Sequence, residues 1–106
     1  MRHVEPLTEA VFLILTSLAD EPRHGYSLLK DIETLSGGRV RLSTGTLYGA
    51  LRRLLAAGWI ERFNTGDTSR DKQSYRLTAD GRKALAADLD RMKTISRAAS
   101  ARLREA

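Results

Sequence analysis

The fold is decided by residues 43–58, which read Ser43-Thr44-Gly45-Thr46-Leu47-Tyr48-Gly49-Ala50-Leu51-Arg52-Arg53-Leu54-Leu55-Ala56-Ala57-Gly58. This stretch predicts one helix with both ends marked, because the Ser43 hydroxyl can accept a bond from a first-turn N–H and Gly58 is a common terminator. At about 100° per residue, the apolar side chains share one face and the glycines and arginines share the other. Each glycine costs about 0.5–1 kcal/mol relative to alanine in a helix interior, which indicates a backbone that comes close to another molecule. The alternative is a polar face that meets only solvent.

Length and composition favour one small globular domain. The chain has 106 residues, is 42% hydrophobic and carries a formal net charge of +5. The absence of cysteine excludes a disulfide scaffold and thiolate metal sites and fits a cytoplasmic location. We find neither a bilayer-spanning run nor a leader sequence in the printed chain, and so we expect no membrane association.

Positive charge is concentrated from the predicted helix onward. Residues 1–38 have three basic and six acidic side chains, residues 39–78 have eight and three, and residues 79–106 have seven and four. Fourteen of the eighteen basic residues are arginine, whose forked guanidinium group suits phosphate and guanine. This distribution favours nucleic acid as a partner, with acidic membranes or proteins as alternatives.

Two further helices and a short strand are predicted before residue 43. Thr8 is placed to cap a helix over residues 7–19, which is so apolar that we expect a partner chain to cover part of it. Residues 20–23 form a turn, and a second helix runs from Gly25 to Ser36. Its predicted inward side chains are Leu28, Leu29, Ile32 and Leu35. The alternation in residues 40–42 predicts a short strand.

The remainder predicts a hairpin followed by a long helix. Residues 59–63 and 74–77 alternate as strands do, and the loop between them carries Arg70 and Lys72. Thr78 is placed to cap a last helix that runs to the end of the chain. Its apolar residues recur at spacings of three and four, which predicts a seam buried against a second copy of the chain. Packing within its own domain is the alternative.

Three helices followed by a basic hairpin describe a winged helix-turn-helix, so the predicted fold is mainly α with a small β-hairpin and a long C-terminal helix. Four motifs make the resemblance specific: His24-Gly25-Tyr26, residues 43–48, Gly58-Trp59-Ile60, and residues 75–81. In this order and spacing they resemble the PadR family of bacterial transcriptional regulators. The resemblance implies a homodimeric repressor that reads a palindromic operator in double-stranded DNA. It also implies a winged helix-turn-helix domain over residues 1–78 and a dimerisation helix over residues 79–106.

Candidate binding residues follow from position and from the resemblance. Early residues of a recognition helix reach base edges and phosphates, exposed basic side chains reach phosphates, and the first N–H groups of a helix can hold a phosphate. The predicted DNA-binding residues are Tyr26, Ser43, Thr44, Gly45, Thr46, Tyr48, Arg52, Arg53, Arg70 and Lys72. The alternatives are capping for Thr44 and Thr46, partial burial for Tyr48, core packing for Tyr26, and a solvent-exposed position for Arg52 and Arg53. The predicted dimer interface consists of Val11, Phe12, Leu15, Leu85, Leu89, Met92, Ile95, Ala99 and Leu103.

An enzyme is not predicted. His3 and His24 have no second ligand at metal spacing, and Asp88 and Asp90 face apart on a helix. We therefore expect no catalytic residue, no metal site and no cofactor. A small aromatic effector is implied by the resemblance, since some family members release DNA on binding phenolic or drug-like compounds. The alternative functions are a winged-helix module that binds a protein or ligand with little DNA affinity, and a membrane-surface role for the basic last helix.

Overall fold

The computed structural model describes residues 6–63 and 73–105. Its helices are α1 (Glu9–Leu18), α2 (Gly25–Leu35), α3 (Thr44–Ala57) and α4 (Ala79–Glu105), and its strands are β1 (Arg23–His24), β2 (Ile60–Phe63) and β3 (Ser74–Leu77). The strands form one antiparallel sheet in the order β1-β3-β2, so that β3 is central. The fold is therefore the predicted winged helix-turn-helix with a long C-terminal helix, and the sheet contains β1 in addition to the two strands of the predicted hairpin.

Side chains and glycines fix the helix ends where the sequence marks them. The Thr8 hydroxyl accepts from the Val11 N–H at 3.2 Å, and the Ser43 hydroxyl accepts from the Thr46 N–H at 3.1 Å. Gly58 ends α3 with φ of 78°, a left-handed conformation that glycine adopts without strain. These ends are confirmed, and they hold α3 between fixed boundaries.

Thr78 ties the end of α3 to the start of α4. Its hydroxyl donates to the Gly58 carbonyl at 2.6 Å and accepts from the Gly81 N–H at 3.1 Å. Gly81 is buried against the Trp59 carbonyl, and a Cβ there would also approach Leu77 Cδ1 to 2.8 Å. The turn at residues 58–59 and the first turn of α4 therefore pack backbone against backbone.

The core lies between the first three helices and one face of the sheet. The inward side chains predicted for α3 are buried, as are Leu28 and Ile32 of α2. Burial of such aliphatic side chains supplies most of the stabilisation in a domain of this size. The complete buried hydrophobic set is Ile14, Leu15, Leu18, Leu28, Ile32, Leu47, Ala50, Leu51, Leu54, Ile60, Tyr75 and Leu77.

Three local predictions are wrong. Leu35 is 47% exposed, because α2 ends at this residue and its last turn passes beyond the core. Residues 40–42 form no strand, since their backbone pairs with no neighbouring strand. Residues 23–24 form β1 where only a turn was predicted, because Arg23 and His24 pair with the distant Tyr75 and Ser74.

A polar network fixes β1 against the first two helices. The Arg23 Nε–H donates to the Ser17 carbonyl at 2.8 Å, and the Ser17 hydroxyl donates to the Asp31 carboxylate at 2.6 Å. Ser17 is buried, so its hydroxyl needs such a partner. The network therefore joins β1 to the end of α1 and to the middle of α2.

Candidate nucleic-acid interface

The face of α3 opposite the core is exposed along its length. Leu47, Ala50, Leu51 and Leu54 point into the core. The predicted contact residues of this helix and its cap are all exposed; they are Ser43, Thr44, Gly45, Thr46, Tyr48, Arg52 and Arg53. A helix with this division of faces can lie in a groove without disturbing the core. We call these seven residues the recognition face.

The start of the recognition face is ordered by its cap. Besides accepting from the Thr46 N–H, the Ser43 hydroxyl donates to the Thr46 hydroxyl at 2.9 Å. The prediction that Ser43 caps α3 is therefore confirmed, and its hydroxyl oxygen is already engaged. Thr44 and Gly45 are exposed next to this cap, and a Cβ at Gly45 would meet no atom within 4 Å. The backbone of the first turn is thus open to solvent.

Arg52 and Arg53 bring two guanidinium groups over Gly49. A Cβ built on Gly49 would lie 3.8 Å from Arg53 Nη1 and 3.9 Å from Arg52 Nη2. None of the ion pairs found among residues 6–63 and 73–105 involves either arginine. Two guanidinium groups so arranged concentrate positive charge on one face and can bind phosphate or guanine.

The start of α2 lies beside the recognition face. The His24 ring caps α2, accepting from the Ser27 N–H at 3.3 Å, which fits the interpretation that this histidine orders the turn. Tyr26 is 65% exposed, and the Lys30 ammonium group lies 5.2 Å from the centre of its ring. Tyr26 therefore stands on the surface, and the alternative of core packing is wrong.

Tyr48 reaches from α3 to α2. Its phenol lies against Gly25, the first residue of α2. Burial raises the pKa of the Tyr75 hydroxyl, the nearby Tyr48 phenol raises that pKa further, and Arg62 lowers it. The Tyr75 hydroxyl is therefore neutral at ordinary pH, and Tyr48 lies against the start of α2 with 42% of its surface exposed.

The loop of the hairpin carries two predicted phosphate contacts, Arg70 and Lys72, and both lie outside the described residues. On the described strands, the Arg76 Nε–H donates to the Glu61 carboxylate at 2.6 Å. The Arg76 guanidinium also lies 4.9 Å from the centre of the Phe63 ring. Arg76 is thus held within the hairpin by an ion pair and a cation–π contact.

The apolar stripe of α4 is increasingly exposed along the helix. Val11, Phe12, Leu85 and Met92 are half-buried. Exposure is 40% at Leu89, 54% at Ile95 and 78% at Leu103, and Ala99 is exposed as well. The prediction for Leu15 is wrong: its side chain is fully buried in the hydrophobic core of its own domain and is therefore not available to a partner.

A buried carboxylate joins the start of α1 to α4. Asp88 is 7% exposed, and the Arg91 Nε–H donates to it at 2.8 Å. The Arg91 bond, together with an N–H from the Leu7 backbone, holds the pKa of Asp88 below its usual value, although burial opposes this. The sequence did not predict this contact because Leu7 is distant in the chain.

A cavity of about 390 Å³ opens beside this carboxylate, between α1 and α4. Apolar and charged side chains share its wall: Leu7, Glu9, Phe12, Leu13, Arg39, Asp88, Arg91 and Met92. Within the described residues no cluster of histidine or acidic side chains could hold a metal ion. In the same part of the chain, no helix has the length and apolar character needed to cross a bilayer.

The exposed third helix, the hairpin and the long C-terminal helix define the winged helix-turn-helix class of proteins. Within that class, residues 14–87 match the transcriptional regulator PadR-like family, and the chain belongs to it. It is therefore a PadR-family transcriptional regulator, and this family is not enzymatic.

Known proteins similar to this chain support the assignment. An uncharacterized 37.1 kDa protein from a transposon of Streptomyces fradiae is 38% identical over 88 residues, which cover 83% of this chain. The match covers only 24% of that relative, so the chain spans about a quarter of its length.

Solved structures show the same fold. A PadR family transcription regulator from Clostridium difficile is 22% identical with a TM-score of 0.75, and the match covers 91% of this chain and 99% of that one. RosR of H. salinarum is 27% identical with a TM-score of 0.67, over 90% of this chain and 94% of that one. Bacillus subtilis PadR, whose structure was determined with operator DNA, is 23% identical with a TM-score of 0.68, over 81% of this chain and 49% of that one.

Proposed function

We propose that this chain is a homodimeric repressor that binds a palindromic operator in double-stranded DNA and acts in the cytoplasm. Residues 1–78 bind DNA and residues 79–106 pair the protomers. The recognition face enters the major groove, while the start of α2 and the hairpin loop contact the adjacent phosphates. A small aromatic effector releases the DNA.

The recognition face is the single observation that carries this proposal. It is exposed, its first turn is open at Gly45, and its two guanidinium groups lie together over Gly49. A surface that only meets solvent gains nothing from two glycines in a helix, whereas close approach to a polyanion uses both the thin backbone and the charge. The operator complex of Bacillus subtilis PadR, which shares the fold, adds support.

Phosphate contacts outside α3 complete the interface. Tyr26 stands exposed at the second position of α2, where the helix dipole favours an anion and where the His24 ring already accepts from the Ser27 N–H. Arg70 and Lys72 are proposed from the sequence as phosphate contacts of the wing. Replacing either with alanine would weaken binding to all duplexes and lower the salt slope by about 1 for each phosphate that is no longer neutralised.

Pairing through α4 is supported by its uncovered second half. Every residue from 93 to 100 is exposed, and the stripe of Leu89, Ile95 and Leu103 has no cover from the described part of its own chain. Apolar side chains at this spacing are buried when a second helix packs against them. Val11, Phe12, Leu85, Met92 and Ala99 extend the same proposed interface.

The cavity between α1 and α4 is the proposed effector site. It adjoins the proposed dimer interface through Phe12 and Met92. The charges of its wall balance, because Arg39 pairs with Glu9 and Arg91 pairs with Asp88. An aromatic effector would therefore be held mainly by apolar contact with side chains such as Phe12 and Met92. A ligand bound there could change the angle between α4 and the DNA-binding domain.

Selection from a randomised duplex library tests the central part of the proposal. The purified protein should enrich a palindromic sequence, and the DNA upstream of its own gene is the natural second probe. In a gel shift, the enriched duplex should be retained at protein concentrations well below those needed for a scrambled duplex. No retention of either duplex at low salt would favour the alternative of a protein- or ligand-binding module.

Dimerisation is tested separately with Ile95→Glu. A carboxylate in the proposed seam would be buried without a partner, so sedimentation should change from dimer to monomer and operator affinity should fall. Thr94→Glu, which places the same charge on the side of the helix away from the proposed seam, is the matched control. An unchanged dimer in Ile95→Glu would place the interface elsewhere.

A further inference from the structure

Gly25, the first residue of α2, lies against the Tyr48 ring of α3. A Cβ built on Gly25 would lie 2.9 Å from Tyr48 Cζ and 3.5 Å from Cε1, with the hydroxyl oxygen closer still. Carbon atoms that are not bonded normally stay beyond about 3.5 Å, so the ring occupies the space that a side chain at residue 25 would fill. Gly25 itself is buried.

Space, not backbone conformation, is what requires glycine here. Gly25 is not among the glycines with a positive φ, which are Gly37, Gly38 and Gly58. Any residue could therefore adopt its backbone conformation, and alanine is a better helix former than glycine. The contact with the Tyr48 phenol is the one feature at this position that an added methyl group would disturb.

Two helices meet at this contact, because Gly25 is the first residue of α2 and Tyr48 lies on α3. Tyr75 of the central strand β3 is buried, and burial and then the Tyr48 phenol raise the pKa of its hydroxyl. Since one side of the Tyr48 ring lies against Gly25, the exposed part of the ring has a defined direction.

We propose that Gly25 is a specificity-determining positioning residue, whose missing side chain holds the Tyr48 phenol in the orientation needed to read the operator. The inference rests on the proposed function, because Tyr48 has a reading role only if the recognition face binds DNA. Gly25 acts through Tyr48 and does not itself touch the DNA.

Gly25→Ala tests the proposal. The phenol is the far end of a flexible side chain. Rotation of the Tyr48 side chain away from residue 25 therefore makes room for the added methyl group, and the domain stays folded. We expect the affinity for the library-enriched duplex to fall about tenfold, as it does when one base contact is removed. Affinity for a scrambled duplex of equal length should stay within about twofold, because phosphate contacts remain.

A double-mutant cycle separates positioning from a structural role. In a Tyr48→Ala background no phenol lies against residue 25. Adding Gly25→Ala to that variant should therefore change its affinity for the enriched duplex by no more than about twofold. Thr34→Ala, at the exposed far end of α2, is the control for a change in that helix. If Gly25→Ala fails to fold, Tyr48→Ala and the double variant are compared by themselves, and equal affinities support the proposal.

Two results would overturn the inference. One is Gly25→Ala binding the enriched duplex as the wild type does, and the other is an equal loss of affinity with and without the Tyr48→Ala substitution. Failure of the proposed function is distinguishable from both, since in that case the wild-type protein enriches no sequence at all. A wild type that enriches a sequence while the cycle shows no coupling refutes the role of Gly25 alone.

Discussion

Replacing Arg52 and Arg53 together with glutamine removes both guanidinium charges from the recognition face and keeps most of each side-chain stem. Both side chains are exposed, and the ion pairs found among residues 6–63 and 73–105 do not include them. The free energy of unfolding should therefore change by less than about 0.5 kcal/mol. The effect on DNA binding should be large by comparison.

The magnitude follows from the number of charges removed. If each arginine neutralises one phosphate in each protomer, the double variant leaves about four phosphates per dimer without their arginine. Each such phosphate contributes about 0.9 to the slope of log affinity against log salt, so the slope should become shallower by about 3.6. Between about 50 and 200 mM KCl, the wild-type affinity should consequently fall about 150-fold more than that of the variant.

Fluorescence anisotropy with a labelled scrambled duplex at a series of KCl concentrations measures this slope. The matched control replaces Arg102 and Arg104 with glutamine, which removes the same charge near the C-terminal end of α4 and should leave the slope nearly unchanged. A double Arg52 and Arg53 variant with the wild-type slope and the wild-type preference for the enriched duplex would refute the reasoning. In that case, the two guanidinium groups face only solvent.

Three further variants probe the reading of DNA and the packing behind it. Thr44→Val should lower affinity for the enriched duplex more than for a scrambled one in a gel shift, and equal losses would make Thr44 a positioning contact only. Asp88→Asn should lower the melting temperature at about pH 7, because the depressed pKa of Asp88 makes its ion pair with Arg91 stabilising above the unfolded value. That difference should shrink as the pH falls below about 4, and a constant difference would exclude the linkage. Gly81→Ala should cost about 1–3 kcal/mol in urea denaturation, since its Cβ would meet the Trp59 carbonyl, and an unchanged midpoint would contradict the packing.

Local signals in the sequence predicted most of the fold. The caps at Thr8, Ser43 and Thr78 and the terminator at Gly58 are confirmed, because each depends on residues within three positions along the chain. The inward face of α3 is confirmed for the same reason, since the helical period alone decides it.

Long-range contacts account for what the sequence did not predict. β1 exists only through pairing with β3, which lies beyond α2 and α3 in the chain, and two residues of strand carry no alternation to detect. The helical period places Leu35 on the inward face of α2, but Leu35 is the last residue of that helix and is largely exposed. In the sequence, nothing distinguishes the buried Leu15 from the partly exposed apolar residues of α1, because its burial depends on the elements that pack around that helix.

The candidate site also has features that the local sequence predicts and features that depend on long-range contacts. The exposed residues of α3 could be predicted, because they lie opposite the buried leucines. The contact of Tyr48 with Gly25 and its proximity to Tyr75 could not, since each joins elements that meet only in the folded domain. The cavity beside Asp88 was missed for the same reason.

The most direct test of the account is sedimentation of a fluorescein-labelled duplex carrying the enriched palindrome, with and without the protein. The account predicts a complex whose mass exceeds that of the duplex by two protomers of 11.8 kDa each, formed in dilute buffer and dissociated as KCl is raised. A duplex that sediments alone at micromolar protein, or a complex with a single protomer, would contradict it.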